Sequence, residues 1–507
     1  MLQDSNQPES PVKLASGPIA GAGASAGAGA AAGRGEGTVA LPRLDASGLR
    51  ASLPRLRVRF GPRAGKAALA ALILATFAVV ACAASGPSIL VPRSVQTFPN
   101  WEAGPLHDFV TRVIQDPQTL GLAFSGVLAA MVVAYGIVLA SVRTLSMKTI
   151  AIVVVVLHAI LLLSPPLQLT DLFNYLGYAR LGALHHLNPY THVIKHEFYD
   201  PVYRFTSWHN LKSPYGPLFT ALSYPLAFTS LPVAYWAVKV VTVLISLGFV
   251  ALVWQCARQL GRDPRFAVVF VALNPIFLLY AVAGFHNDFF MLVASMGAIS
   301  LILARRDRTA GALLMIAVAI KLTAIVLLPF LLLGARNRAR AIKVVVGAAL
   351  AAVPLVAVSV LLFGLSIPNL SDQSSLLTDF SIPNLLGLAI GIGGGAPGLL
   401  RLANVAVVLV IAYQVYRRRD WLTGAGWTTF ALIASLAWLV PWYVVWLLPL
   451  AALATSLPLR RTALVLTLFL VFAFVPATSL YFAKHGINLL SSSVGQASKS
   501  RQHKLAF

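Results

Sequence analysis

Residues 161–190 read LLLSPPLQLTDLFNYLGYARLGALHHLNPY. The stretch begins as a membrane helix and ends in sequence rich in Tyr, His, Asn and Pro. Asp171 falls where the chain should leave the lipid. A carboxylate at the lip of a bilayer is costly unless it is solvated, paired or used. Residues 171–186 have helical composition, and on a helix Asp171, Asn174, Tyr175 and Tyr178 share a face at i, i+3, i+4 and i+7 spacing. Capping of that helix by Thr170 or Asp171 is the structural alternative to a chemical role. These residues alone leave both readings open.

The apolar signature recurs along the whole chain. Of 507 residues, 58% are hydrophobic and 11% charged, far from an ordinary soluble globule. Runs near the ~20 residues that span a bilayer repeat throughout. The expected fold class is all-α: a polytopic transmembrane helical protein of about thirteen spans, with a helical outer loop after the third. The spans are read at roughly 67–90, 119–142, 149–165, 232–257, 266–284, 288–304, 309–321, 323–334, 341–363, 397–416, 425–440, 442–457 and 462–482. The net charge of +23 sits in short basic clusters between apolar runs. That is the pattern of cytoplasmic loops, so no nucleic-acid partner is expected.

Residues 1–66 read as a disordered, basic cytoplasmic tail. Positions 1–40 are rich in Gly, Ala, Ser and Pro, and 43–66 carry seven basic residues against one acid, a composition suited to lying on anionic lipid. The transmembrane domain is expected over 67–485, with an outer loop at about 166–231, and residues 486–507 read as a C-terminal tail. Cys82 and Cys256 fall at opposite faces in this layout, so no disulfide is expected.

The stretch 215–230 decides the topology. Counted as a span, it would scatter the Arg clusters at 262/265, 305–308, 336–340, 417–419 and 460/461 over both sides. Read as a short helix resting on the outer surface, it leaves all of them inside. The acids then fall unevenly: of twelve after residue 66, only Asp263, Asp307 and Asp420 lie inside. Acid chemistry is therefore expected on the outer face.

The outer loop mixes Tyr175, Tyr178, Tyr190, Tyr199, Tyr203, Trp208 and Tyr215 with Arg180, Lys195, His196, Arg204, His209 and Lys212. An interfacial belt accounts for most of the aromatics. Cations on the outer side are generally depleted, and their presence points to an anionic partner such as a phosphate at headgroup level. His286, Asn287 and Asp288 stand together where one span ends and the next begins. Lys321 is alone in apolar sequence, where snorkelling is the plainer account. Pro441, Trp442, Tyr443 and Trp446 mark the outer end of a late span. No Walker loop, dinucleotide-binding glycine fingerprint or HExxH site is present.

In order along the chain come DLFNYLGYAR (171–180), LNPY (187–190), SPYGPLF (213–219), HND (286–288), IKLT (320–323) before LLPF (327–330), and PWYVVWLLPL (441–450). This series resembles bacterial GT-C glycosyltransferases over roughly residues 67–485. The nearest look is to the polyprenol-phosphate-mannose-dependent α-1,6-mannosyltransferases of actinobacterial lipoglycan synthesis and glycosyltransferase family 87. The resemblance implies an enzyme that moves a hexose, most expectedly mannose, from a polyprenyl-phosphate sugar donor to a cell-envelope glycan or glycolipid acceptor, with inversion. It also implies Asp171 as the catalytic base. The substrate-binding residues expected with it are Tyr175, Arg180, Asn188, Tyr190, Lys212, Tyr215, His286, Asn287, Asp288, Lys321, Trp442 and Tyr443. Among them, Arg180, Lys212, Lys321 or His286 would stabilise the leaving phosphate. A lone carboxylate without a DxD pair argues for no metal, and no cofactor is expected. The expected setting is the bacterial plasma membrane, multi-pass, N-terminus cytoplasmic and active site outside, in contact with membrane lipids. A polysaccharide polymerase or ligase of the O-antigen type is disfavoured because the polar richness comes early in the chain. A lipid-linked sugar transporter or flippase is disfavoured because charged residues near mid-span are scarce.

Overall fold

The computed structural model describes residues 60–91, 98–107, 116–168, 170–366, 368, 372, 375–417 and 420–506. Most of the expected N-terminal tail lies outside these residues. The chain is all-α, and among the described residues six helices are long and apolar enough to cross a membrane. They are α1 (Pro62–Ala84), α3 (Pro117–Ser141), α7 (Leu231–Gln259), α12 (Arg338–Phe363), α14 (Pro397–Arg417) and α17 (Leu457–Phe474). Shorter apolar helices cover other expected spans, among them α4 (Met147–Leu163), α9 (Asp288–Leu303) and α16 (Val444–Leu453). Full-length helices thus carry only part of the expected count of about thirteen.

Local chemistry sets the helix starts. Ser146 accepts from Thr149 N (3.0 Å) to open α4, and Asp263 accepts from Arg265 N (3.0 Å) to open α8 (Pro264–Ala272). Asn337 accepts from Arg340 N (2.9 Å) ahead of α12, and Asp420 accepts from Leu422 N (3.2 Å) ahead of α15 (Trp421–Ser435). Each supplies a side-chain oxygen to an orphaned helix N–H. These starts lie among the basic loops, which the fold draws together. Arg265 donates to Arg143 O (3.2 Å), Arg262 lies 3.8 Å from Asp420, and Asp420 also accepts from Thr455 N (3.0 Å). Arg340 makes a two-nitrogen pair with Asp307 (2.7–3.0 Å) at the start of α10 (Asp307–Ile320).

Two expected spans are interrupted. The apolar run at 266–284 stops as an α-helix at Ala272, because Pro275 has no N–H to continue it. Asn274 accepts from Ile276 N (3.0 Å) to start the next segment, a π-helical turn over Phe277–Val282. The run at 323–334 divides into a 3-10 segment, Leu322–Leu327, and α11, Leu328–Gly334. The stretch 215–230 forms α6 (Pro217–Ser223) and a 3-10 turn to Phe228. At 1.5 Å per residue it is roughly 18 Å long, too short for a ~30 Å hydrocarbon layer.

α10 and α12 cross with their backbones in contact. A Cβ on Gly311 would lie 2.0 Å from Val344 O, and one on Gly347 would lie 1.8 Å from Arg308 O. Residues nearer their other ends, among them Ile320 and Ser359, line a cavity. The segment read as a C-terminal tail also carries structure: α19 (Ser493–Ala506) packs against the loops at 208–211 and 376–377. Cys82 and Cys256 are free thiols.

Candidate functional site

Asp171 stands at the N-cap position of α5 (Leu172–Ala183), yet its side chain makes no capping bond. Thr170 does that work: its hydroxyl accepts from Leu172 N (3.2 Å) and donates to Gly284 O (2.8 Å). The Asp171 carboxylate is one quarter exposed and lines a cavity of about 730 Å³. Its Oδ2 is 3.8 Å from His286 Nδ1.

The turn that brings His286 there is strained. Phe285, fully buried, adopts φ 53°, a left-handed conformation that a bulky residue rarely takes. The His286 ring stacks on Trp442 at 3.8 Å between centroids and 14° between planes. Asn287 N donates to Tyr175 Oη (3.0 Å), tying the turn to α5. Burial, and after it the charge of Asp171, holds the phenols of Tyr175 and Tyr215 far above their ordinary range, so both stay neutral.

Asp288 is buried and receives two donors, Lys321 Nζ (2.7 Å) and Trp446 Nε1 (2.5 Å). The Lys321 ammonium also lies 5.2 Å from the Tyr443 ring centre and 4.9 Å from that of Trp446. Gly216 N donates to Ile320 O (3.1 Å), and a Cβ on Gly216 would meet Ala319 O at 2.2 Å. Only glycine permits this approach, which seats the outer-loop strip beside Lys321.

The cavity is lined by Asp171, Tyr215, Asn287, Lys321, Trp442 and Tyr443 from the expected set, with Tyr175, His286 and Asp288 buried directly behind. The other four stand elsewhere. Arg180 Nε donates to Asp200 (2.8 and 3.0 Å) and its Nη1 to Ala227 O (3.2 Å). Asn188 binds Phe363 O (2.7 Å), and Tyr190 Oη donates to Tyr215 O (2.9 Å). Lys212 is half-buried and outside the lining. Trp446, absent from the expected set, is the partner of Asp288; its signal in the sequence was its i+4 spacing from Trp442. The far part of the cavity is an aliphatic slot between α10, α12 and α14, with Val356, Val360 and Leu400 among its walls. Among the described residues no group of three His, Cys, Asp or Glu is placed to hold a metal ion.

Fold and site together define a polytopic membrane protein whose cavity joins a polar, carboxylate-bearing end to an aliphatic slot. The family model described as "Alpha-(1->6)-mannopyranosyltransferase, N-terminal domain" matches residues 70–337, and the chain belongs to this family. Alpha-(1->6)-mannopyranosyltransferase A of Mycobacterium tuberculosis is 28% identical over 344 residues, 59% of this chain and 64% of that protein. Alpha-(1->6)-mannopyranosyltransferase B of Corynebacterium glutamicum is 23% identical over 352 residues, 59% of this chain and 57% of that protein. The chain therefore spans about three fifths of the length of these relatives. No solved structure matches.

Proposed function

We propose that the chain transfers mannose from a polyprenyl-phosphate donor to a cell-envelope glycan or glycolipid acceptor, at the outer face of a bacterial plasma membrane. One observation carries this reading: a single cavity has the Asp171 carboxylate at its polar end and an aliphatic slot beyond it. A prenyl chain suits the slot, and it would hold its phosphate at the depth of Asp171. The relatives' names support mannose and an α-1,6 linkage.

In the proposed reaction an acceptor hydroxyl attacks the anomeric carbon and gives its proton to Asp171. The bond from that carbon to the phosphate oxygen breaks, and polyprenyl phosphate leaves with the electron pair. Direct displacement inverts the centre and needs one base, which contributes about 10²–10⁴-fold. His286, stacked on Trp442, positions the Asp171 carboxylate. The Lys321 ammonium carries three donors and gives one to Asp288, so it can also stabilise the departing phosphate.

The test uses purified chain in proteoliposomes with an α-1,6-mannan oligosaccharide acceptor. Labelled mannose is offered on a polyprenyl phosphate or on GDP. Transfer from the polyprenyl donor, with a new α-1,6 linkage in the product, is the expected result. Transfer from GDP-mannose alone, or from neither donor, would refute the reading.

A further inference from the structure

Two tryptophans on separate loops meet at one wall of the cavity. Trp208 lies in the loop before α6 and Trp438 in the loop after α15; both are half-buried and both line the cavity. Their ring centroids are 5.9 Å apart with planes at 76°, an edge-to-face pair. Bilayer-facing belt residues need no such fixing, but the backbone on each side of these two is tied down. Before Trp208, Ser207 N donates to the buried Asn174 Oδ1 (3.0 Å). After it, the His209 ring stacks on Tyr203 at 4.0 Å and 12°. Around Trp438, Thr378 N donates to Ala437 O (3.0 Å), and Leu439 N donates to Thr378 Oγ1 (3.1 Å).

A third element braces the pair from behind. Leu505 of α19 packs in one cluster with Leu211 and Leu376, against Trp208 and Trp438. Asn210 N donates to Leu505 O (3.0 Å), Asn210 Nδ2 to Lys504 O (2.9 Å), and Leu377 N to Ser498 Oγ (2.7 Å). The polar last segment is thus ordered chiefly against residues of this wall.

The wall leads to the reacting end. Trp438 is four residues from Trp442, whose ring stacks on His286, a reach of at most ~14 Å. From Trp208 the lining continues through Leu211 and Pro214 to Tyr215. The slot of α10, α12 and α14 is aliphatic, whereas this side is aromatic and built on loops. Pyranoses present a C–H face that packs on indole, and Trp gives large contact area at low entropic cost.

We propose that Trp208 and Trp438, braced by α19, form a binding subsite for a pyranose of the glycan acceptor, one short oligosaccharide length from Asp171. The proposal rests on the glycosyltransferase reading, but it is tested without turnover. α-1,6-Mannotriose is titrated into detergent-solubilised chain without donor, followed by saturation-transfer NMR and indole fluorescence. Wild type is expected to bind; Trp208→Ala and Trp438→Ala weaken binding about tenfold or more. Trp438→Phe, which keeps a stacking ring, retains most of it and controls for folding. Leu505→Ala gives a smaller loss through misplaced rings. In the transfer assay the acceptor KM rises with the alanine variants while the donor KM does not. No trisaccharide binding by wild type, or equal binding by the alanine variants, overturns the subsite. Trisaccharide binding without transfer from any mannose donor would leave the subsite standing and refute the transferase reading instead.

Discussion

α5 carries a charged cluster at each end, and the two are wired differently. At its C-terminal end, Asp200 is enclosed by Arg180 (2.8 Å) and His185 Nε2 (2.8 Å), while His185 Nδ1 reaches Glu197 (3.2 Å). The same Asp200 also accepts from Val202 N (2.9 Å). Burial works against its charge, but the bonds from Arg180 and His185 outweigh it and hold the carboxyl below the usual range. At the N-terminal end, Asp171 faces a cavity, with His286 at 3.8 Å. One cluster spends its polar capacity on the loop's own shape; the other places a carboxylate in the lining of a cavity of about 730 Å³.

The difference can be broken most sharply at Asp171. Asp171→Asn is expected to lower the proposed mannose transfer by about 10²–10⁴-fold, with a smaller change in melting temperature than Arg180→Met, because Thr170 rather than Asp171 makes the side-chain bond at the start of α5. Both are read on the same detergent-solubilised preparation; a large stability loss with transfer retained would invert the comparison. Arg180→Met should do the reverse. It leaves the enclosed Asp200 carboxylate without its main partner, costing roughly 2–4 kcal/mol, while transfer per folded molecule changes little. Loss of donor affinity at unchanged stability would return Arg180 to the substrate.

A third test uses pH. The folded-state pKa of Asp200 is depressed, so its stabilising contribution is complete above the ordinary carboxylate value of about 4 and is lost as pH falls through the lower folded value. The stability gap between wild type and Asp200→Asn should stay constant from about pH 7 to 5 and narrow below about pH 4. A gap that instead opens on acidification would contradict the assignment. The smallest effect is expected from Thr170→Val. Losing its bonds to Leu172 N and Gly284 O should cost about 1 kcal/mol, read as a lowered melting temperature.

What the sequence made legible follows from the range of the interactions involved. Hydropathy is a local signal, so the helical class and most helix positions could be read directly. Surplus basic loops identified the segments that the structure ties together through Arg143, Arg262, Arg265 and Asp420. Pairings between distant residues were not legible. Arg180 looked like an anion site because Asp200, twenty positions on, gives no periodic cue. Trp446 and Lys321 lie 158 and 33 positions from the Asp288 that joins them. The break at Asn274 was present in the sequence as an Asn-Pro step inside an apolar run, where hydropathy hid it. α19 was read as a tail; Leu505, the Ser498 hydroxyl and main-chain carbonyls at its end join it to residues far away in the chain, which hydropathy does not register.

The glycine crossing of α10 and α12 makes this pair a lever. Its pivot lies at Gly311 and Gly347, near the arginine-rich end, and its working tips lie at Ile320 and Ser359, where the slot begins. From Gly347 to Ser359 the arm is roughly 18 Å, so a swing of 5° at the pivot moves the tip by roughly 1.6 Å. A methyl at either glycine would collide with the facing backbone, so Gly311→Ala or Gly347→Ala is expected to shift one slot wall against the other without altering any residue that lines it.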